Sequence, residues 1–357
     1  MIDILFVLLL ILLIHRIRVI KPRHVLNRQE YLSVKTGKYY RGFFAVVVIF
    51  HHLALRTESG IAFRYFTTVG FLAVSFFFFV SGYGLQKSYI TKSEQYRKGF
   101  LQKRIPAILI PYIFITFLYW LINLTEGVSY SLNDIFVSII NGDPIASNSW
   151  YIINILLFYI AFWLIMLICN NQHTIMIYLG IIWYVFYILL CIKMEYGDWW
   201  YKSTPLLIIG MCWAVYEDKI LAVLNKSFAV IAPVIIISFL VFYLIYLYYG
   251  KIDFLRNIPY FSTVVAFPTA ILFSLSIVMF SLKVQIGNRI LGFLGEMSLE
   301  LYLSQGLFIT LLRGSHVYIE NELLWCSAVL IGTIAFSYLL HLFFRFFLRL
   351  IQRSIAP

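Results

Sequence analysis

Long apolar runs separated by short polar connections recur along the whole chain, near residues 42–55, 65–85, 105–122, 150–169, 174–192, 204–216, 227–249, 262–282, 290–312 and 322–343. Runs of this length exceed ordinary strands and predict helices. Each is long enough, or nearly so, to cross a hydrocarbon core of about 30 Å. The pattern predicts an all-α, polytopic transmembrane helix bundle of about ten core spans. The first run is short from Gly42, but a helix starting near Lys38 makes a full crossing and puts Arg41 about one turn inside the membrane boundary. Residues 2–14 form another apolar run, followed by the basic stretch His15 to Arg23. A cleaved signal peptide would carry its charges before the apolar run, so this N-terminal hydrophobic helix is an eleventh span or an interfacial helix.

The longest polar connections are 15–41, 86–104 and 123–148, and none suffices for a soluble domain. The chain divides into a hydrophobic helix and basic linker (1–38), one transmembrane domain (39–345) and a basic tail (346–357). Within 123–148 the segment Ile135 to Ile140 is amphipathic and suited to lie on the membrane surface or to touch an external glycan, although a plain connector has the same pattern. Lys and Arg set orientation. Residues 15–41, 86–104, 217–226, 283–289 and 345–353 hold 21 of the 28 basic residues, and the alternate connections hold 7. That asymmetry predicts that both ends of the core are cytoplasmic.

Composition sharpens this picture: 62% of residues are hydrophobic and only 12% charged, far from soluble-domain averages. The formal charge of +12 is divided among membrane-flanking loops, so it reads as topology and contact with anionic lipid rather than nucleic-acid binding. Cys169, Cys191, Cys212 and Cys326 stand singly in apolar surroundings and read as small core residues, with no metal expected.

The candidate chemistry begins at Arg41 and His52, eleven residues apart on one helix. At about 100° and 1.5 Å per residue they share a face to within about 20°, separated by about 16 Å along the axis. His51 lies about 80° away and is a neighbour of the same cavity rather than the aligned group. An ionisable residue at membrane depth usually faces a cavity or the bundle interior, so the pair predicts a polar path. A snorkelling Arg and a core His bonded to a carbonyl would give the same spacing. Glu296 and Glu300, one turn apart on the ninth span, need partners at this depth, and Arg41 or His52 would serve electrostatically.

These residues resemble the membrane-bound acyltransferase-3 family. Arg41-Gly42, an apolar run and His52 match its first core helix. Phe76 to Tyr83, ending Ser81-Gly82-Tyr83, matches its second. Phe100 to Arg104 before Pro111-Tyr112, then Trp150-Tyr151 with Phe158-Tyr159, and Ser298 to Leu303 follow in the family's order over residues 39–345. Two positions depart. A second Arg expected three residues after Arg104 is Ala107, for which Lys103 or Arg97 could supply charge, and a late His is Gln305, an amide that can hydrogen-bond but not titrate.

The resemblance implies a bacterial inner-membrane O-acyltransferase. Its donor would be acetyl-CoA, and its acceptor a sugar hydroxyl of a cell-surface polysaccharide or a lipid-linked precursor. His52 and Arg41 would be catalytic, with His52 as base or transient acyl carrier and Arg41 meeting a phosphate or the thioester oxygen. Lys103 and Arg104 join Arg41 as candidates for binding the donor's phosphates. His51, Ser81, Tyr83, Trp150, Glu300 and Gln305 are candidates for lining the cavity. The rival is a carrier or flippase that exports a glycan precursor unmodified; it would show broken spans at matching places in two halves, and none is found.

Overall fold

A computed structural model describes residues 1–20 and 26–355, the side chains of Ile14 and residues 348–355 excepted. The basic residues Lys21 and Arg23 of the predicted linker, the side chains of Arg349 and Arg353, and residues 356–357 of the tail lie outside the described residues. In chain order the helices are α1 (Asp3–Ile14), α2 (Val34–Ala54), α3 (Gly70–Lys98), α4 (Phe100–Thr125), α5 (Leu132–Ile140), α6 (Trp150–Cys169) and α7 (His173–Lys193). They continue with α8 (Pro205–Tyr248), the short α9 (Asp253–Arg256), α10 (Phe261–Ser281), α11 (Arg289–Glu296), α12 (Ser298–Leu311) and α13 (Glu322–Ile355). One two-residue antiparallel pair, β1 (Arg18–Val19) with β2 (Val284–Gln285), joins the N-terminal segment to the core.

Among the described residues, six stretches are long and apolar enough to cross a membrane: Phe100–Thr125, Trp150–Cys169, His173–Lys193, Asp198–Lys251, Phe261–Ser281 and Glu322–Phe347. The polar-bearing α2 and α3 pack inside the bundle, where Ala45 to Phe50 and Phe76 to Phe79 are all buried. The fold is the expected all-α polytopic bundle.

The stretch containing α8 folds back on itself. A straight helix of this length would extend about 66 Å. Yet Phe71 meets both ends: its carbonyl accepts the Ser203 hydroxyl at 3.1 Å, and its ring lies 4.7 Å from that of Tyr246. The reversal falls at Ser227 (φ −130°, ψ 20°), so the two runs predicted at 204–216 and 227–249 are antiparallel arms. The intervening residues 217–226, expected as a loop, are helical.

α1, about 18 Å long, lies between the segment that follows α2 and the start of α11. At its start Asp3 accepts the N–H groups of Ile61 (3.1 Å) and Phe63 (2.8 Å), just beyond the end of α2. Past its other end Asn288 donates to the Leu12 carbonyl at 2.9 Å, close to where α2 begins, since the Tyr39 ring lies against Gly287 and Gly292. Ile2, Leu5 and Leu9 are buried against the core.

The amphipathic patch of the 123–148 connection is α5. Ser131 caps it in a reciprocal capping box with Asp134, and the Ser131 backbone N–H holds the Asp134 carboxyl below its ordinary value. None of its residues is buried, and Leu132 and Phe136 face outward, as an interfacial helix requires.

The predicted ninth span is broken at Met297 (φ −106°, ψ 25°) into α11 and α12. Glu296 and Glu300 therefore do not share a partner. Glu296 is exposed and pairs with Lys38 at 2.8 Å, whereas Glu300 is buried and meets His341 at 3.0 Å. Neither pairs with Arg41 or His52, because the break turns the two carboxylates apart.

Candidate active site

α2 is the axis of the site, and a backbone contact fixes it. A Cβ on Gly42 would stand 2.3 Å from the Leu291 carbonyl oxygen, and one on Gly295 would stand 1.9 Å from that of Lys38. Two glycines thus let α2 and α11 touch backbone to backbone, as small residues do in membrane bundles. Two cavities open beside α2, of about 790 Å³ at its His52 end and 730 Å³ at its Arg41 end. Both fall within the usual size of small-molecule sites, roughly 300–1,000 Å³.

His51, His52 and Trp150 line the first cavity. The two histidines differ in what holds them. The His51 Nδ1 lies 2.9 Å from the Phe66 carbonyl, which only accepts, so Nδ1 carries the proton. Its ring fills the space a Cβ on Gly70 would need, at 2.3–2.6 Å. His52 stands beside it, ring centroids 5.0 Å apart, and among the described residues no hydrogen bond occupies either of its nitrogens. A half-buried imidazole free of partners and facing a cavity is available to a substrate.

The surroundings of this cavity are aromatic, hydrogen-bonding and in part cationic, with Trp199, Tyr130, Asn141, Asp143, Arg56 and Lys202 in its wall. The turn after α5 is tied down by Trp200, whose Nε1 donates to the Gly142 carbonyl at 3.0 Å, and by Tyr196, whose hydroxyl donates to Ile140. The segment after α2 is held from several sides: Arg313 donates to the Arg56 carbonyl at 2.8 Å, and Glu322 accepts the N–H of Glu58 at 2.7 Å. Backbone beside His52 is therefore pinned by the ends of α1, α12 and α13.

Arg41, Arg104, Ser81 and Tyr83 line the second cavity, together with Lys87, and no Asp or Glu is in its wall. Arg104 donates to the Tyr96 hydroxyl at 3.2 Å and lies 5.9 Å from the centre of the Tyr159 ring. Among the described residues the Arg41 guanidinium has no hydrogen-bond partner. Lys87 is anchored from behind by Glu217, a buried carboxylate that also accepts the hydroxyls of Tyr31 and of Tyr83, the latter at 2.9 Å. Three donors offset the desolvation of that charge. The wall thus carries the guanidinium groups of Arg41 and Arg104 and tyrosine hydroxyls, with the Lys87 charge met by Glu217 from behind.

The structure thus brings Arg41, Arg104, Ser81 and Tyr83 together in one cavity, and His51, His52 and Trp150 together in another, the two walls meeting at Tyr302. Lys103 is exposed and outside both walls, and Arg97 is tied to Glu94. Neither replaces the Arg missing at position 107; Ala107 itself lines the cationic cavity, and Lys87 brings the third charge. Glu300 is held by His341, and Gln305 is buried with its Nε2 on the Tyr302 carbonyl at 3.0 Å; neither lines either cavity. Sequence reasoning missed Lys87, Glu217 and Tyr302. Lys87 carried a signal, four residues after Tyr83 and so on the same face of α3. All four cysteines are free, and among the described residues no group of three or more His, Cys, Asp or Glu side chains could hold a metal ion.

Two cavities therefore lie along α2, one toward each of its ends. The family model for an acyltransferase domain of the acyltransferase-3 type matches residues 38–342. The chain belongs to that family, and it is a multi-pass membrane acyltransferase. Comparison with curated proteins and with solved structures gives no match.

Proposed function

We propose that the protein transfers an acetyl group from acetyl-CoA to a sugar hydroxyl of a cell-surface polysaccharide or its lipid-linked precursor. The observation that carries this reading is the contrast between the cavities: Arg41, Lys87 and Arg104 with no acidic side chain in one wall, and His52 with Asp143, Arg56, Lys202 and several aromatic and amide side chains in the other. Coenzyme A is strongly anionic, and guanidinium forks suit its phosphates. Aromatic faces with amide and carboxylate groups suit the alternating apolar and hydroxyl faces of a sugar. The distribution of basic residues supports a cytoplasmic donor side and an external acceptor side in a bacterial inner membrane.

His52 takes the acceptor hydroxyl proton as the new C–O bond forms and the C–S bond breaks, and the proton passes to the departing thiolate. A neutral imidazole can accept that proton and return it, which suits both halves of the exchange. An acyl-imidazole route would start from the same unoccupied nitrogen. Arg41 binds phosphate or steadies charge on the thioester oxygen. Mass spectrometry of surface glycans from cells with and without the protein tests the reading. Loss of one acetyl unit per repeat is expected; identical glycans, with no coenzyme A released from acetyl-CoA by the purified protein in the presence of the acceptor glycan, would overturn it.

A further inference from the structure

Two cavities set one above the other along the same helices need something between them. On α2, Arg41 faces the lower cavity and Val48 and His52 the upper; on α3, Phe77 and Ser81 face the lower, and Phe71 and Val74 the upper. On α6 the change falls between Trp150 and Tyr151. These crossovers lie at one level. At that level stands Tyr302 of α12, which lines both cavities and is the one residue in both walls among the described residues. It is 5% exposed. Its hydroxyl donates to the Asn148 carbonyl at 2.6 Å, latching it to the turn after α5, and its ring lies 5.2 Å from that of Tyr151.

We propose that Tyr302 is the partition of the transfer reaction. Its ring closes the cationic cavity off from the His52 cavity, so that the acyl carbon passes its edge to reach an acceptor hydroxyl while water from the acceptor side is kept from the thioester. This rests on the reading of the Arg41 cavity as the donor site. The chemistry makes such a partition necessary. A thioester that yields to an activated hydroxyl yields equally to water activated by the same imidazole: the C–S bond breaks, a C–O bond to water forms, and acid and thiol are released. Excluding water is a recognised task of a closed site. Tyr302 can perform it because one bond to Asn148 holds the ring in place and one side-chain rotation releases it. It is a positioning residue, with no acid–base role assigned.

The test reads accessibility and chemistry separately. In the full chain without its four native cysteines, Ser81→Cys reports on the cationic cavity and Thr68→Cys on the His52 cavity. Each is labelled with a membrane-impermeant maleimide in right-side-out and inside-out vesicles. With Tyr302 present each cysteine should react from one side only, and from opposite sides. Tyr302→Ala should make Ser81→Cys reactive from both, with at least a tenfold faster rate on the formerly closed side. Tyr302→Phe, which keeps the ring and loses the latch, should give a several-fold rise and guards against misfolding of the Ala variant. Purified Tyr302→Ala should release coenzyme A from acetyl-CoA without acceptor at least tenfold faster than the parent.

Labelling of Ser81→Cys from both sides with Tyr302 intact, or from one side only in both variants, overturns the partition. If the accessibility changes appear but no variant binds or cleaves acetyl-CoA, the partition stands and the donor reading falls.

Discussion

His51 and His52 are adjacent in sequence and unlike in situation, and the difference lies in one hydrogen bond. His51 spends Nδ1 on the Phe66 carbonyl and packs against Gly70, while His52 leaves both nitrogens to the cavity. His52→Ala should abolish acyl transfer, a loss of about 10²-fold or more for a general base, whereas His51→Ala should keep activity within about tenfold of the parent. Assays on purified, correctly inserted protein check both, and an inactive His51→Ala beside an active His52→Ala would reverse the assignment. On the other face of the partition, Arg41→Lys keeps the charge but loses the planar fork and should cost about tenfold or more in turnover. Arg104→Ala should mainly raise the KM for acetyl-CoA, by about ten- to a hundredfold for a lost charge-assisted bond. An unchanged donor titration for both would place coenzyme A elsewhere. The spacing of Arg41 and His52 was legible because a helix is periodic. That Tyr302 stands in the walls of both cavities was not, because it approaches from a helix some 250 residues away in sequence.

At the scale of elements, a short motif can serve two purposes, and Ser81-Gly82-Tyr83 does. Ser81 and Tyr83 line the cationic cavity, while Gly82 faces the first arm of α8 so closely that a Cβ would stand 1.8 Å from the Leu207 carbonyl oxygen. The backbone there cannot retreat without moving Glu217, which holds Tyr83 and Lys87 in place. Gly82→Ala should therefore lower stability by about 1–3 kcal/mol, the usual cost of overpacking, and Ser81→Ala should leave it unchanged. Thermal unfolding of the detergent-solubilised variants decides this, and equal melting temperatures for both would remove the close-packing role. Apolar runs revealed most helices, since burial in lipid demands them. They predicted the reversal between the runs 204–216 and 227–249 but not that 217–226 is helical with the turn at Ser227, nor the break at Met297, because these depend on how elements pack. The Met297 break separates Glu296 from Glu300 and gives each its own partner, Lys38 and His341, where unbroken periodicity would have put them on one face.

For the whole molecule, the direction of transfer depends on which end of the bundle faces the cytoplasm. Ser93 lies near the end of α3 beyond Lys87, on the Arg41 side; Ser138 lines the His52 cavity. With 21 of 28 basic residues in the connections at the Arg41 end, that end should be cytoplasmic. α1 adds an independent constraint, because Ile2 and Asp3 contact the segment 60–63 beyond α2 while Leu12 reaches Asn288 at the other end. Residue 1 should therefore lie on the same side as Ser138 and opposite Ser93, a relation the apolar run at 2–14 left open between a crossing and an interfacial helix. In a background without native cysteines, an impermeant maleimide applied to intact cells or spheroplasts should label Ser138→Cys and a cysteine inserted directly after the exposed Met1, and leave Ser93→Cys protected. Labelling at Ser93 with protection at the other two would invert the bundle and turn His52 toward the cytoplasm. Acceptor and donor would then exchange sides, and an external glycan could not reach the free imidazole. Labelling at Ser138 without the cysteine after Met1 would leave the bundle's orientation intact and detach α1 from it, against the N–H groups of Ile61 and Phe63 that Asp3 accepts.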